Sequence, residues 1–108
     1  MICDYSLSRI HPIKRQMVKD SIEIAKQNTD IKRVIVFGSA VTDQCREDSD
    51  IDFCFDVADT FDEIKMVKTF GRIGAVCERN ADRLIYSALR GKIKNEVNTK
   101  GVIVYELS

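Results

Sequence analysis

Val34-Ile35-Val36-Phe37-Gly38-Ser39 and, twelve residues beyond its glycine, Asp50-Ile51-Asp52-Phe53-Cys54-Phe55 decide how this chain folds. The first stretch is a run of apolar, mostly β-branched residues closing on a small pair, so it reads as a buried strand entering a tight turn. The second alternates acidic and apolar residues, the period of a strand with two unlike faces. Asp50 and Asp52 then share one face, while Ile51, Phe53 and Phe55 point into the core.

Two carboxylates about 6–7 Å apart along a strand repel by roughly 2–3 kcal/mol at an effective dielectric near 20. No base is interleaved with them, so a cation is expected to offset that repulsion. A hard divalent ion, Mg²⁺ above all, suits oxygen ligands, and phosphate oxygens would complete its shell. Gly38 permits a sharp turn and close approach of backbone to a ligand. Ser39 supplies a hydroxyl and an N–H, and a helical turn starting there would aim its positive end at a phosphate. Either piece alone is commonplace, since a Gly-Ser pair is usually a turn and an isolated Asp-x-Asp usually a polar strand face. The two at this spacing arise by chance in roughly one chain of this length per thousand.

Working outward, Pro12 suits a first helical position, and the spacing of Ile13, Met17, Val18, Ile22, Ile24 and Ala25 predicts an amphipathic helix over 12–28. Strands are predicted at about 32–37 and 50–57, with one helical turn after Ser39. Asp59 or Thr60 can cap a second helix with Phe61, Ile64, Val67, Phe70 and Ile73 as its apolar positions, and Gly71 and Gly74 weaken its end. Ala81–Tyr86 reads as a third strand. Ser87 can cap a short helix carrying Leu89, Ile93 and Val97, Asn98–Gly101 reads as a turn, and Val102–Tyr105 as a last strand. The order α-β-β-α-β-α-β implies an α+β (α/β sandwich) fold, a small mixed β-sheet covered by helices.

Composition narrows the classes of function. The 108 residues suit one domain, residues 1–108, and are 44% apolar and 31% charged, an ordinary globular balance. No apolar run reaches the length of a membrane span and no secretory leader precedes the helix, so a cytoplasmic chain with no membrane partner is expected. Cys3, Cys45, Cys54 and Cys77 lack metal-binding spacing, which favours reduced thiols over a zinc site. His11 reads as a surface or capping residue. Net charge is zero, which argues against direct nucleic-acid binding by bulk electrostatics. Residues 43–63, however, hold nine acids against the single base Arg46, a local balance of −8. For Asp59, Asp62 and Glu63 a solvated acidic loop explains this; Asp50 and Asp52 lie among apolar strand residues.

Gly38-Ser39-x10-Asp50-x-Asp52 resembles the signature of the minimal nucleotidyltransferases of the DNA polymerase beta superfamily. The likeness takes in Val34–Phe37 and Arg46-Glu47-Asp48-Ser49 and extends over about residues 12–107. It implies the nucleotidyltransferase fold, with Gly38 and Ser39 binding a triphosphate and Asp50 and Asp52 ligating two Mg²⁺ ions. Asp82, in Asn80-Ala81-Asp82-Arg83-Leu84-Ile85, matches the context of the family's third carboxylate, implying a role in holding one metal and deprotonating the acceptor hydroxyl. The two metals would lower the pKa of that hydroxyl and neutralise the departing pyrophosphate. Where the family carries Arg-x-Arg-Gly after the Gly-Ser pair, this chain has Ala40-Val41-Thr42-Asp43. Part of the phosphate grip is therefore missing, and Arg46, Arg83 or a partner's base is expected to replace it.

Larger superfamily members hold their acceptor in an extra domain, for which 108 residues leave no room. The acceptor is then expected on a partner, within a homo- or hetero-oligomer. The chain is similar to the antitoxins of HEPN/MNT toxin–antitoxin modules, and the resemblance implies transfer of AMP from ATP to a tyrosine of a HEPN-type toxin. Two other readings remain open: an antitoxin that masks its toxin by contact alone, and a sensor that binds ATP without transferring it.

Overall fold

The computed structural model describes all residues from Met1 to Ser108. Five strands form one mixed sheet: β1 (Ile2–Cys3), β2 (Ile31–Phe37), β3 (Ile51–Val57), β4 (Ala81–Ile85) and β5 (Val102–Glu106). Three helices cover it: α1 (Arg15–Ala25), α2 (Glu63–Val76) and α3 (Gly91–Lys100). The spatial order is β1-β5-β2-β3-β4. β2 runs antiparallel to β3 and β5, while β4 is parallel to β3 and β1 parallel to β5.

Both faces of the central strands are covered over most of their length, and β2 is apolar at five of its seven positions, Lys32 and Arg33 being the exceptions. Val34, Val36, Phe53 and Phe55 pack with Val18 and Ile22 of α1 and with Met66 and Ile73 of α2 in the larger core. Ile35, Phe37, Cys54 and Ile103 meet Leu89 and Val97 on the other face, a smaller core under α3. The Phe55 ring lies 4.8 Å from that of Phe70 and 5.7 Å from that of Phe53, which joins α2 to β3 through aromatic contact. Each such buried side chain contributes about 1.5–3 kcal/mol over exposure.

The predicted strands fall within a residue or two of the observed ones, but the helices differ in detail. The first opens as a 3-10 turn over Pro12–Lys14, capped by Nδ1 of His11, which accepts from the Ile13 N–H at 3.3 Å. Its α portion ends at Ala25, short of the expected 28. α2 is capped by Asp62, whose Oδ1 accepts from the Lys65 N–H at 3.0 Å; Asp59 and Thr60 lie in the preceding turn. The apolar stripe chosen from the sequence is also rotated, since Ile64 and Val67 are each 71% exposed. The buried face is Met66-Thr69-Ile73-Cys77, with Phe70 at its border. That set runs the length of the helix, and Thr69 receives the Asn28 amide at 3.1 Å. Gly71 and Gly74 do not end α2, which continues to Val76.

Ser87 lies in a 3-10 turn over Tyr86–Ala88 and caps no helix. Asn98–Lys100 is the last turn of α3, not a loop, and the chain passes into β5 through Gly101 alone. A side chain at Gly101 would strike the Val97 carbonyl and Ile35, so only glycine allows so abrupt a junction. β1, absent from the sequence reading, adds a two-residue edge that carries too few side chains to show a pattern.

Candidate active site

Strand direction brings the conspicuous residues to one end of the sheet. Because β2 is antiparallel to β3, the end of β2 meets the start of β3, and Phe37 pairs with Asp52. Because β4 is parallel to β3, Asp52 pairs with Asp82. Directly paired residues share a face, on neighbouring strands about 4.7–4.9 Å apart. Asp52 and Asp82 therefore stand side by side on the face covered by α3, the face of Cys54.

Gly38 follows at once. Its φ is +73°, and a β-carbon there would collide with Oδ2 of Asp52. Glycine thus serves both the left-handed backbone and the close approach. Gly38–Val41 forms the expected short helical turn, of 3-10 type, with the Thr42 hydroxyl and N–H donating to the Ser39 carbonyl at 2.8 and 3.0 Å. The His11 N–H donates to the Ala40 carbonyl at 2.8 Å and ties this turn to the start of the first helix.

The loop leading to Asp50 is held from beneath. Lys14 is 1% exposed, and its Nζ donates to the Glu47 carbonyl at 2.8 Å. The Arg46 N–H donates to Oγ of Ser49 at 2.9 Å, closing a tight turn before the strand. Asp50 follows as an exposed residue just ahead of β3.

Electrostatics single out Asp52. Burial, hydrogen-bonding contact with Asp82 and the charges of Asp82, Asp50 and Glu96 together push its carboxyl up to about 6. The ion pairs of the molecule are Lys26–Glu23 and Arg33–Asp56, so none of the three aspartates has a basic partner. No three acidic, cysteine or histidine side chains close into a ready-made metal cage. Asp52 and Asp82 adjoin, and Asp50 adds its charge from outside the pair. This donor set fits Mg²⁺, which commonly takes one or two carboxylates and fills its octahedron with waters and substrate phosphates.

Arg83 does not replace the missing phosphate-binding bases. Its place on β4 turns it to the opposite face, where Nη1 donates to the Phe70 carbonyl at 3.0 Å and crowds Gly74. Arg46 is exposed and does not line the cleft beside Gly38. That cleft, about 320 Å³, lies between the Gly38 turn and α3 and is lined by Gly38, Val41, Thr42, Glu96 and Lys100. A larger cleft of about 420 Å³ opens elsewhere, among Tyr5, Lys19, Tyr105 and their neighbours. Glu96 and Lys100 were missed in the sequence. Their i,i+4 spacing was the available signal, hidden by reading 98–101 as a turn.

The chain belongs to the polymerase beta nucleotidyltransferase family, whose description, "Polymerase beta, Nucleotidyltransferase", matches residues 19–108. Solved structures of similar fold include several described as toxin–antitoxin complexes. One is a toxin–antitoxin crystal structure with AMP-PNP (TM-score 0.68, 20% identity, 82% of this chain and 73% of that one). Another is the toxin–antitoxin MntA-HepT (TM-score 0.64, 18% identity, 86% and 73%). A third is a tri-AMPylated Shewanella oneidensis HEPN toxin in complex with MNT antitoxin (TM-score 0.65, 19% identity, 87% and 73%). No curated protein sequence matches the chain. None of its helices is long and apolar enough to cross a membrane.

Proposed function

We propose that residues 1–108 act as one minimal nucleotidyltransferase unit that moves AMP from ATP to a hydroxyl of a partner protein. The partner is a cognate HEPN-type toxin, the acceptor a tyrosine, and the outcome its silencing. The observation that carries the reading is the in-register pair Asp52–Asp82 closed against Gly38, two carboxylates with no protein cation to balance them. The likeness to a complex containing a tri-AMPylated HEPN toxin supports the choice of group and partner.

Gly38 and Ser39 seat the triphosphate against the half-buried backbone of the turn. Asp50, Asp52 and Asp82 hold the divalent ions, two Mg²⁺, whose charge, when bound, stabilises the phosphate oxygens and acidifies the acceptor hydroxyl. Asp82 takes the hydroxyl proton; the hydroxyl oxygen bonds to the α-phosphorus, the α–β bridging bond breaks, and pyrophosphate departs. Positioning and charge placement do most of this work, and no protein nucleophile is required.

Purified protein, ATP and Mg²⁺ incubated with the cognate toxin should add AMP to the toxin, read by intact mass and mapped to a tyrosine. An unchanged toxin mass sinks the proposal. A second reading rests on the base-free turn Ala40–Asp43: an antitoxin that masks its toxin by contact alone. Neutralisation of the toxin in cells that survives Asp50→Asn with Asp52→Asn favours masking; neutralisation that disappears favours transfer. A nucleotide sensor, the third reading, would bind ATP with no release of pyrophosphate.

A further inference from the structure

We infer that Lys100 is the base that grips the distal phosphates of the nucleotide, in place of the arginines missing after Ser39. This rests on the nucleotidyltransferase reading of the same site and names the residue on which its nucleotide binding depends.

Lys100 closes the last turn of α3, and its side chain lines the same cleft as Gly38 and Thr42. It is the only basic residue in that lining. The other charged member is Glu96, one turn earlier, close enough for its charge to raise the Asp52 carboxyl. Although the two sit i,i+4 on the helix, Lys100 makes no ion pair with Glu96 or with any other acid. Its ammonium is therefore uncommitted, in a cleft whose other walls are the glycine turn and an acid.

Its counterparts are disqualified by geometry. Arg83 is turned to the other face of the sheet and bonded to Phe70, and Arg46 stands outside the cleft. A triphosphate entering beside Asp50, Asp52, Asp82 and Glu96 meets four acids. Bound cations compensate near the carboxylate pair, and a fixed base is needed where the chain of phosphates leaves it. A lysine is a compact point charge well suited to phosphate. A cation at a helix C-terminus also complements the macrodipole, an ordinary structural use of Lys100. The test must separate the two roles.

Calorimetry with a non-hydrolysable ATP analogue and with AMP, both with Mg²⁺, separates them for wild type, Lys100→Gln and Lys100→Arg. Lys100→Gln should weaken the analogue about ten- to a hundredfold, the worth of one charge-assisted hydrogen bond. Its affinity for AMP should change less than twofold, and Lys100→Arg should restore most of the analogue's affinity. Analogue binding by Lys100→Gln equal to wild type, or an equal loss for analogue and AMP, overturns the inference alone. Failure of the wild type to bind the analogue overturns the parent reading and takes this inference with it.

Discussion

Asp52 and Asp82 stand opposite one another in register on the parallel strands β3 and β4, while Gly38 approaches the same Asp52 carboxyl from the β2 side. A partly buried acid so enclosed by other acids is costly when every carboxyl is ionised, and the cost appears as an Asp52 carboxyl lifted from 3.8 to about 6.

The sign of the resulting pH dependence follows from that shift. The folded state holds the Asp52 proton more tightly than the unfolded chain does. The contribution to stability is complete below about pH 3.8 and is lost as the pH rises through about 6. Asp52→Asn should therefore raise the melting temperature at pH 8 by a few degrees and leave it nearly unchanged at pH 4. The gain corresponds to roughly 1 kcal/mol, reduced from the full linkage value because solvent screens a half-exposed carboxyl. Melts of wild type and variant at both pH values check it; a variant less stable at pH 8 contradicts the repulsion.

Mg²⁺ must compete with that proton. Addition of Mg²⁺ with an ATP analogue should stabilise the wild-type protein more at pH 8 than at pH 5, and at pH 5 the proton released from Asp52 should be visible as buffer-dependent heats. Equal stabilisation at both pH values places the ion elsewhere.

Removal of either paired carboxylate should be felt in chemistry more than in folding. Asp52→Asn and Asp82→Asn should each slow AMP transfer by roughly two to three orders of magnitude, a loss of several kcal/mol of transition-state stabilisation. Asp50→Asn, outside the pair, should retain more activity than either. Single-turnover rates at saturating ATP give the ranking directly.

Two glycines make opposite predictions. Gly38→Ala imposes a left-handed alanine, at about 1–2 kcal/mol, and drives a methyl group into Asp52, so stability and nucleotide binding should fall together. Gly71 sits inside α2 with nothing near its absent side chain. Gly71→Ala should stabilise the protein by about 0.5–1 kcal/mol without altering transfer. Urea unfolding measures both.

Lys14 links the first helix to the loop that delivers Asp50. Lys14→Met keeps the aliphatic bulk but leaves the Glu47 carbonyl without its donor, at about 1–3 kcal/mol. Amide exchange should quicken over residues 46–50 first, and transfer should slow while the isolated sheet amides of β2 stay protected.

Much of this architecture is visible in the chain because strands with a strict pattern have few alternatives. β2, β3, β4 and β5 lie where apolar runs and alternation put them, and the common end of the sheet follows from their directions. α2 sits rotated from the stripe its spacing predicts because it carries two apolar stripes, Ile64-Val67 and Met66-Phe70-Ile73-Cys77, and spacing alone does not say which one the sheet will cover. Asp62 outcompeted Asp59 as cap because Asp30 accepts the Asp62 N–H at 3.0 Å and fixes the chain there, a contact between residues 32 apart. Lys100 stayed hidden for a similar reason: polar residues before a glycine resemble a loop until Val97, on the buried side of α3, is seen to hold the last turn down. The companionship of Asp52 and Asp82 depends on strand pairing across thirty residues of sequence, which local pattern does not encode.

β4 is the outermost strand of the sheet, and Asp82 is exposed on it. For the proposed transfer, a centre on such a margin would need no gate: a folded protein could lay its own surface alongside and offer a single hydroxyl. The same openness admits bulk water as a rival acceptor, so a docked partner would serve as substrate and as the wall that keeps hydrolysis out.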